Sequence, residues 1–146
     1  MQTKVKLVIQ ITGTILTFFV SCCAIIGTAD RATMIKKWSS KPVTVGLLDD
    51  INRWANWYEG RPFEGKCVDQ TEQKISILKE FGVPYKIVHC IVTRDDPWHP
   101  RAHRFLIGWA EGDWQTMDNG VVQDGVWPFL EVKKSTWGVI NYRVEN

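Results

Sequence analysis

The chain has 146 residues, of which 45% are hydrophobic and 23% charged, so it has room for one domain and its composition is not that of a disordered chain. Lys4 and Lys6 are the only charged residues before Asp30, so 18 − 2 = 16 basic residues and 16 acidic residues remain in the rest of the chain, which is neutral. A neutral body with no basic run longer than two residues argues against general nucleic-acid binding, because that function needs a clustered basic surface.

The N-terminal segment, residues 1–29, is predicted to be a signal anchor or a signal peptide. Leu7 to Gly27 is a run of 21 residues without a charge, which as a helix would span about 30 Å, the thickness of a bilayer's hydrocarbon core. The two lysines before it favour a body on the non-cytoplasmic side, periplasmic or extracellular. Three interpretations stay open: an anchor that crosses the membrane through residues 7–27, a signal cleaved after Ala29, or a lipoprotein modified at Cys22.

Residues 30–42 show no convincing periodicity and are interpreted as a linker, so the folded domain is predicted over residues 43–146. From Val43 to Glu59 the apolar residues recur at intervals of three and four, which predicts an amphipathic helix. Gly60 and Pro62 are expected to end it. Its apolar face comprises Leu47, Leu48, Ile51, Trp54, Ala55 and Tyr58.

A second helix is predicted to begin at or near Cys67, which follows Gly65-Lys66. Its apolar face comprises Ile75, Leu78 and Phe81, and Lys74, Lys79 and Glu80 are its polar positions. Gly82 and Pro84 are typical of a helix C-terminus.

After Pro84 the apolar period changes from 3.6 to 2, which predicts antiparallel strands. The expected strands are Ile87–Val92 with both faces largely buried, Ala102–Ala110, Trp114–Met117 after a tight Glu111-Gly112-Asp113 turn, and short runs at Val126–Val132 and Val139–Val144. Helices followed by antiparallel strands make an α+β domain.

Several residues are predicted to serve packing alone. All eight tryptophans follow residue 30, and most are expected in the core. Cys90 lies at an alternating position within an apolar strand, so it is predicted to be buried. His89 shares the face of Ile87 and Ile91 and is also expected in the core.

Cys67, His103 and Asp118 are the candidate catalytic residues. A cysteine attacks as its thiolate, and the unpaired N–H groups at a helix N-terminus favour that anion. A histidine then holds the proton while a third group orients the ring. His103 lies in a predicted strand, and Asp118 follows 15 residues later across the hairpin, so adjacent antiparallel strands would bring the two together.

Other interpretations of these residues stay open. Cys67 would otherwise be an inert cysteine or a disulfide partner of Cys90, His103 a satisfied core histidine, and Asp118 a turn residue before Asn119-Gly120. His99 is interpreted as a loop residue. It lies four residues before His103, but the intervening proline argues against a helix that presents both rings to a metal, and no metal site is predicted.

The ordered motifs resemble those of the bacterial transglutaminase-like cysteine proteinases over about residues 44–122. The matching pieces are Gly65-Lys66-Cys67-Val68-Asp69, Phe81-Gly82-Val83-Pro84, His103 with the apolar residues after it, and Met117-Asp118-Asn119. The resemblance implies a papain-like core in which N-terminal helices pack on a small antiparallel sheet. It also implies a triad of Cys67 as nucleophile, His103 as general base and Asp118 as the orienting group. The backbone N–H of Cys67 is a natural oxyanion donor, with the second donor unassigned.

The chain departs from this family at two places. Calcium-dependent members carry acidic residues beside the cysteine, and Lys66 and Val68 stand there in this chain, so calcium is disfavoured and no cofactor is expected. Arg104 and Phe105 replace the small residues usual after the histidine.

The resulting hypothesis is an envelope-located thiol hydrolase that cleaves or transfers protein or peptide amides. A cell-wall peptide amidase is a variant of it. The alternative from another class is a non-catalytic envelope protein that keeps the fold for binding or structure.

Overall fold

A computed structural model describes residues 30–57 and 67–146, and within them it is an α+β domain with four helices and one five-stranded antiparallel sheet, as the sequence predicts. The helices are α1 (Arg31–Trp38), α2 (Val45–Trp57), α3 (Cys67–Glu80) and α4 (Phe129–Ser135). The strands are β1 (Tyr85–Val92), β2 (Arg101–Ala110), β3 (Asp113–Met117), β4 (Val126–Pro128) and β5 (Val139–Glu145).

The sheet has the strand order β4-β3-β2-β1-β5 and carries a core on each face. One face packs against α1, α2 and α3 through residues such as Leu48, Leu78 and Leu106. The other face, which includes Val88 and Phe105, packs against α4. Alternation along β1 and β2 therefore decides which core each side chain enters.

The predicted helices are observed with small changes at their ends. In α2 the side chains of Leu47, Leu48, Ile51 and Ala55 are buried, as their spacing requires. The predicted continuation through Tyr58 to Glu59, with the stop signals at Gly60 and Pro62, lies outside the described residues.

Helix α3 ends at Glu80, and Gly82 provides the C-terminal cap that the sequence predicts. This glycine has φ +64°, a conformation that side chains with a Cβ rarely adopt. The Gly82 N–H donates to the Lys79 carbonyl at 3.1 Å and the Val83 N–H donates to the Leu78 carbonyl at 2.9 Å. This pair of bonds is the Schellman motif, which caps the last carbonyls of the helix.

The β2–β3 hairpin fixes the register that places Asp118 on the same face of the sheet as His103. Its two-residue turn has Glu111 at φ 53° and Gly112 at φ 84°, as a type I′ turn requires. Leu106 consequently pairs with Met117. Continuing this register by one residue sets Asp118 opposite Phe105, on the same face of the sheet as His103.

The interpretation of residues 30–42 as a linker is corrected, because this segment contains α1. Asp30 caps the helix by accepting a hydrogen bond from the Thr33 N–H at 2.8 Å. Trp38 is only 1% exposed, and its ring meets Trp54 edge-on with centroids 5.8 Å apart. A helix that buries one side chain leaves almost no periodicity in the sequence, which is why the pattern did not indicate it.

The predicted strand over Val126–Val132 is also wrong in its second half. The strand stops at Pro128, and Phe129 begins α4. Phe129 and Val132 are both buried, with the spacing of a helix rather than that of a strand.

The expectation that most tryptophans lie in the core is wrong for the side chains described. Among these only Trp38 is buried, while Trp54 and Trp114 are half-buried. The exposed ones are Trp98 (88%), Trp109 (38%), Trp127 (52%) and Trp137 (75%). Trp98 and Trp137 lie on loops, where no neighbouring element covers them.

The expected core position of His89 is wrong as well. Its side chain is 36% exposed and its Nε2 lies 3.3 Å from the Glu145 carboxylate. On β1, Val88, Cys90 and Val92 are buried, whereas the alternate face is only half-covered. The helices do not extend over the His89 end of that face, so only one face of β1 is fully buried.

No helix in the ranges 30–57 and 67–146 combines the length and apolar character needed to cross a bilayer. The predicted signal anchor or signal peptide, residues 1–29, lies outside the described part of the chain.

We predict that α1 is an integral part of the domain, and a pair of tryptophan variants tests this. Trp38→Ala should lower the free energy of unfolding by about 3–5 kcal/mol, because it leaves a cavity in the core. Trp98→Ala should change it by no more than about 0.5 kcal/mol, because that ring is exposed. Chemical denaturation of the two purified variants measures both values, and equal effects would contradict the placement of α1.

Candidate active site

The candidate site lies where β3 ends. Strand β3 pairs with β2 only as far as Met117 opposite Leu106, so residues 101–105 of β2 pair with β1 alone. The N-terminal part of α3 approaches this unpaired edge. Thr71 Oγ1 donates to the Cys67 carbonyl at 2.6 Å and lies 3.4 Å from the Arg104 carbonyl oxygen.

A second contact ties the same two elements together. The Arg104 guanidinium donates to the Glu72 carboxylate at 2.8 Å. The first two turns of α3 are therefore held against the part of β2 that carries His103. Cys67 is the first residue of α3, so its N–H belongs to the helix end whose amides lack intrahelical acceptors.

His103 and Asp118 form a buried hydrogen bond. His103 Nε2 lies 2.6 Å from Asp118 Oδ1, and the two side chains are 5% and 0% exposed. A carboxylate can only accept, so Nε2 is the donor and the ring is held in one orientation. The ring of His103 also stacks on Phe105, with centroids 5.9 Å apart.

Asp118 makes the contacts that both of its alternative interpretations require, one to His103 and one within the turn. Its Oδ2 accepts hydrogen bonds from the backbone N–H groups of Val122 and Gln123, which shape the turn after β3. Burial raises the pKa of the Asp118 carboxyl, but the His103 hydrogen bond, the imidazolium charge and those two N–H groups together lower the pKa below its ordinary value. The carboxylate is thus held in its charged form beside the ring.

Cys67 is not hydrogen-bonded to His103 in this structure. Cys67 is a half-buried free thiol, and the Nδ1 of His103 has no hydrogen-bond partner among the described residues. The structure thus brings His103 and Asp118 into contact and places Cys67 at the neighbouring end of α3. Catalytic hydrogen bonds are often long before substrate binds and tighten in the complex.

Cys90 lies close to this group but in a setting unsuited to nucleophilic attack. It pairs with His103 across β1 and β2 and is 3% exposed. Burial, with smaller contributions from the nearby Asp118 and Cys67, raises the pKa of the Cys90 thiol to about 12. The predicted core role of Cys90 agrees with this burial, and both cysteines are free, so no Cys67–Cys90 disulfide is present.

Lys74 is the site residue that sequence reasoning missed. The sequence interpretation placed it on the polar face of α3, yet it is 2% exposed and its Nζ donates to the Met117 carbonyl at 3.1 Å. Burial lowers the pKa of Lys74 to about 7, although the Asp118 carboxylate opposes that shift. Its position four residues before the buried Leu78 was the available signal, because it puts the lysine on the apolar face.

Two amide side chains were also missed, and for these the sequence offers no local signal. Asn56 Nδ2 of α2 donates to the Asp118 carbonyl at 2.9 Å. Asn119 Nδ2 donates to Gln70 Oε1 of α3 at 2.7 Å. Both contacts join residues far apart in sequence, so no local pattern indicates them.

The remaining candidates lie away from this group. His99 is an exposed loop residue, as predicted, and its ring pairs with Asp96 at 2.7 Å. Within residues 30–57 and 67–146 no three His, Cys, Asp or Glu side chains gather as metal ligands. Val68 is 44% exposed and has no side-chain oxygen that could bind calcium, and Lys66 lies outside the described residues.

Comparison of the chain with protein-family models, with curated proteins and with solved structures found no match. The resemblance to transglutaminase-like cysteine proteinases therefore rests on the motif residues themselves.

We predict that Lys74 makes the protein more stable as the pH rises above about 7. The folded pKa is about 7 and the unfolded one about 10.4, so between these values the unfolded chain binds one proton more. The free energy of unfolding should then rise by at most about 1.4 kcal/mol per pH unit, and below pH 7 the slope from this group vanishes.

The measurement is chemical denaturation of the wild type and Lys74→Met from pH 7 to about 8.5. Cysteine ionisation begins in this range, but both proteins carry the same cysteines, so its effect cancels in the difference. The difference between the two proteins should grow with pH in favour of the wild type. Parallel curves would show that Lys74 does not titrate as described.

Proposed function

We propose that this protein is a thiol hydrolase that cleaves protein or peptide amides through a Cys67–His103–Asp118 acyl-enzyme mechanism. The observation that carries the proposal is the buried His103–Asp118 hydrogen bond of 2.6 Å, formed beside the helix end that bears Cys67. A carboxylate that orients a histidine next to a helix-terminal cysteine is the arrangement that nucleophilic thiol catalysis requires.

The mechanism follows from the atoms present. Nε2 of His103 is engaged by Asp118, so Nδ1 is the nitrogen that takes the Cys67 proton. The Cys67 sulfur attacks the substrate carbonyl and forms a C–S bond. His103 then passes its proton to the leaving amine as the C–N bond breaks.

Release of the acyl group completes the cycle. A water molecule gives a proton to His103 and its oxygen attacks the thioester, which frees the acid and returns the thiol. An amine in place of water gives amide transfer by the same steps. The Cys67 N–H at the start of α3 is the proposed oxyanion donor.

The order of elements supports the finer proposal of a papain/transglutaminase-like core. Helices α2 and α3 precede the sheet, Cys67 begins α3 and His103 and Asp118 follow on β2 and after β3, which is the order that the motif resemblance implies. We also propose that the domain acts outside the cytoplasm, because the uncharged run at residues 7–27 is typical of an anchor or export signal. Cell-wall peptides are a substrate variant of the same chemistry.

The two cysteines of the described part of the chain, Cys67 and Cys90, give a direct test of thiol activation. Brief treatment of the native protein with iodoacetamide at pH 6 should alkylate Cys67 far more than Cys90, because only Cys67 is half-exposed at a helix N-terminus. Mass spectrometry of peptides locates the adducts, and labelling after denaturation shows that both thiols can react. If Cys67 is unlabelled at pH 6 and reacts only near pH 8.5 like an ordinary thiol, the non-catalytic binding protein is the better interpretation.

Paired alanine variants should separate chemistry from packing. Cys67→Ala should abolish turnover of a peptide amide substrate with little loss of stability. Cys90→Ala should keep turnover and lower the free energy of unfolding by roughly 1–3 kcal/mol, because it empties a buried position. The reverse outcome would make Cys67 the wrong nucleophile.

The role of Asp118 is tested by Asp118→Asn. In catalytic triads the loss of the orienting charge can reduce the rate by about 10⁴-fold with little loss of stability. A turn residue alone would tolerate asparagine, which adopts the same geometry. Single-turnover kinetics distinguish the two, and an unchanged rate would remove Asp118 from the mechanism.

A further inference from the structure

Three consecutive residues at the end of β3 are each held by a side chain from a helix. Lys74 of α3 donates to the Met117 carbonyl, and Asn56 of α2 donates to the Asp118 carbonyl. The side chain of Asn119 donates to Gln70 of α3. Hydrogen bonds therefore hold the chain both before and after the residue that carries the Asp118 carboxylate.

We propose that Lys74, together with Asn56, is a positioning residue that keeps the Asp118 carboxylate on His103. Neither side chain bonds the carboxylate itself. Lys74 fixes the backbone carbonyl of Met117, which precedes Asp118, and Asn56 fixes the backbone carbonyl of Asp118 itself. The catalytic meaning of this inference rests on the proposed function, whereas the geometry that it concerns does not.

A buried lysine at this position on α3 is energetically unfavourable compared with an apolar side chain. Lys74 is 2% exposed, and taking an ammonium group out of water costs more than placing a hydrocarbon of similar size in the same position. Its amine instead reaches a carbonyl one residue from the orienting aspartate. Since neutral and charged amines both carry N–H donors, the hydrogen bond from Lys74 to the Met117 carbonyl persists in either protonation state.

The end of β3 needs such support because the regular ladder stops there. Beyond Met117, β3 makes no further pairs with β2 or with β4. Asp118 still has to present one oxygen to His103 and the other to the N–H groups of Val122 and Gln123. Side chains from α2 and α3 supply hydrogen bonds in place of the strand pairing that is missing there.

The test is the His103 Nε2–H signal in NMR spectra of protein labelled with ¹⁵N-histidine. A proton donated to a buried carboxylate is shifted downfield and exchanges slowly, so it reports the contact without any substrate. In Lys74→Met we expect this signal to move upfield and to exchange faster. Lys79→Met, a lysine exposed on the same helix, is the matched control and should leave the signal unchanged.

Asn56→Ala provides a second variant. Asn56 is only half-buried, and its replacement removes the hydrogen bond to the Asp118 carbonyl. It should weaken the same signal even if Lys74→Met does not fold. In a folded Lys74→Met protein we also expect kcat to fall by about 10²-fold with KM unchanged, the scale expected for a misplaced catalytic group.

An unchanged Nε2–H signal in either folded variant would overturn the inference and leave the Cys67 chemistry standing. Failure of the proposed function would instead show in the wild type, as an unreactive Cys67 with the Nε2–H effects intact. The two failures are therefore distinguishable.

Discussion

The site depends on the buried hydrogen bond between His103 and Asp118. Its 2.6 Å length and the near-zero exposure of both side chains mean that neither group has solvent as an alternative partner. A buried carboxylate is costly unless its oxygens are satisfied, and here one oxygen serves the ring while the other serves two backbone N–H groups. Loss of any one of these hydrogen bonds would leave a buried polar group without a partner, which would destabilise the fold.

The fold builds this arrangement from elements that lie on opposite faces of the sheet. His103 and Asp118 face the α4 side with Phe105 and Cys90, whereas α3 packs on the other side. Contact between the two sides is feasible because β3 ends early and exposes one edge of β2 next to Thr71. In the proposed mechanism the short strand has a function, since a longer β3 would separate the N-terminus of α3 from His103 and Asp118.

Local signals in the sequence predicted the parts that local physics decides. Gly82 ends α3 and the Glu111-Gly112 turn sets the β2–β3 register, so the approach of His103 to Asp118 followed from the pattern. The missed features depend on tertiary contacts instead. Helix α1 offers one buried side chain, Trp38. The spacing of Lys74 from Leu78 places it on the apolar face of α3, but its hydrogen-bond partner, the Met117 carbonyl, is set by the tertiary fold.

The central claim is that the Asp118-held imidazole acts on Cys67, and the ring titration of His103 tests it most directly. Its ¹⁵N NMR signals should be followed with pH in the wild type and in Cys67→Ala. If thiolate and imidazolium stabilise each other, removing the sulfur should move the midpoint of the titration to lower pH. Superimposable titration curves would show that the cysteine and the histidine do not interact, and would contradict the account.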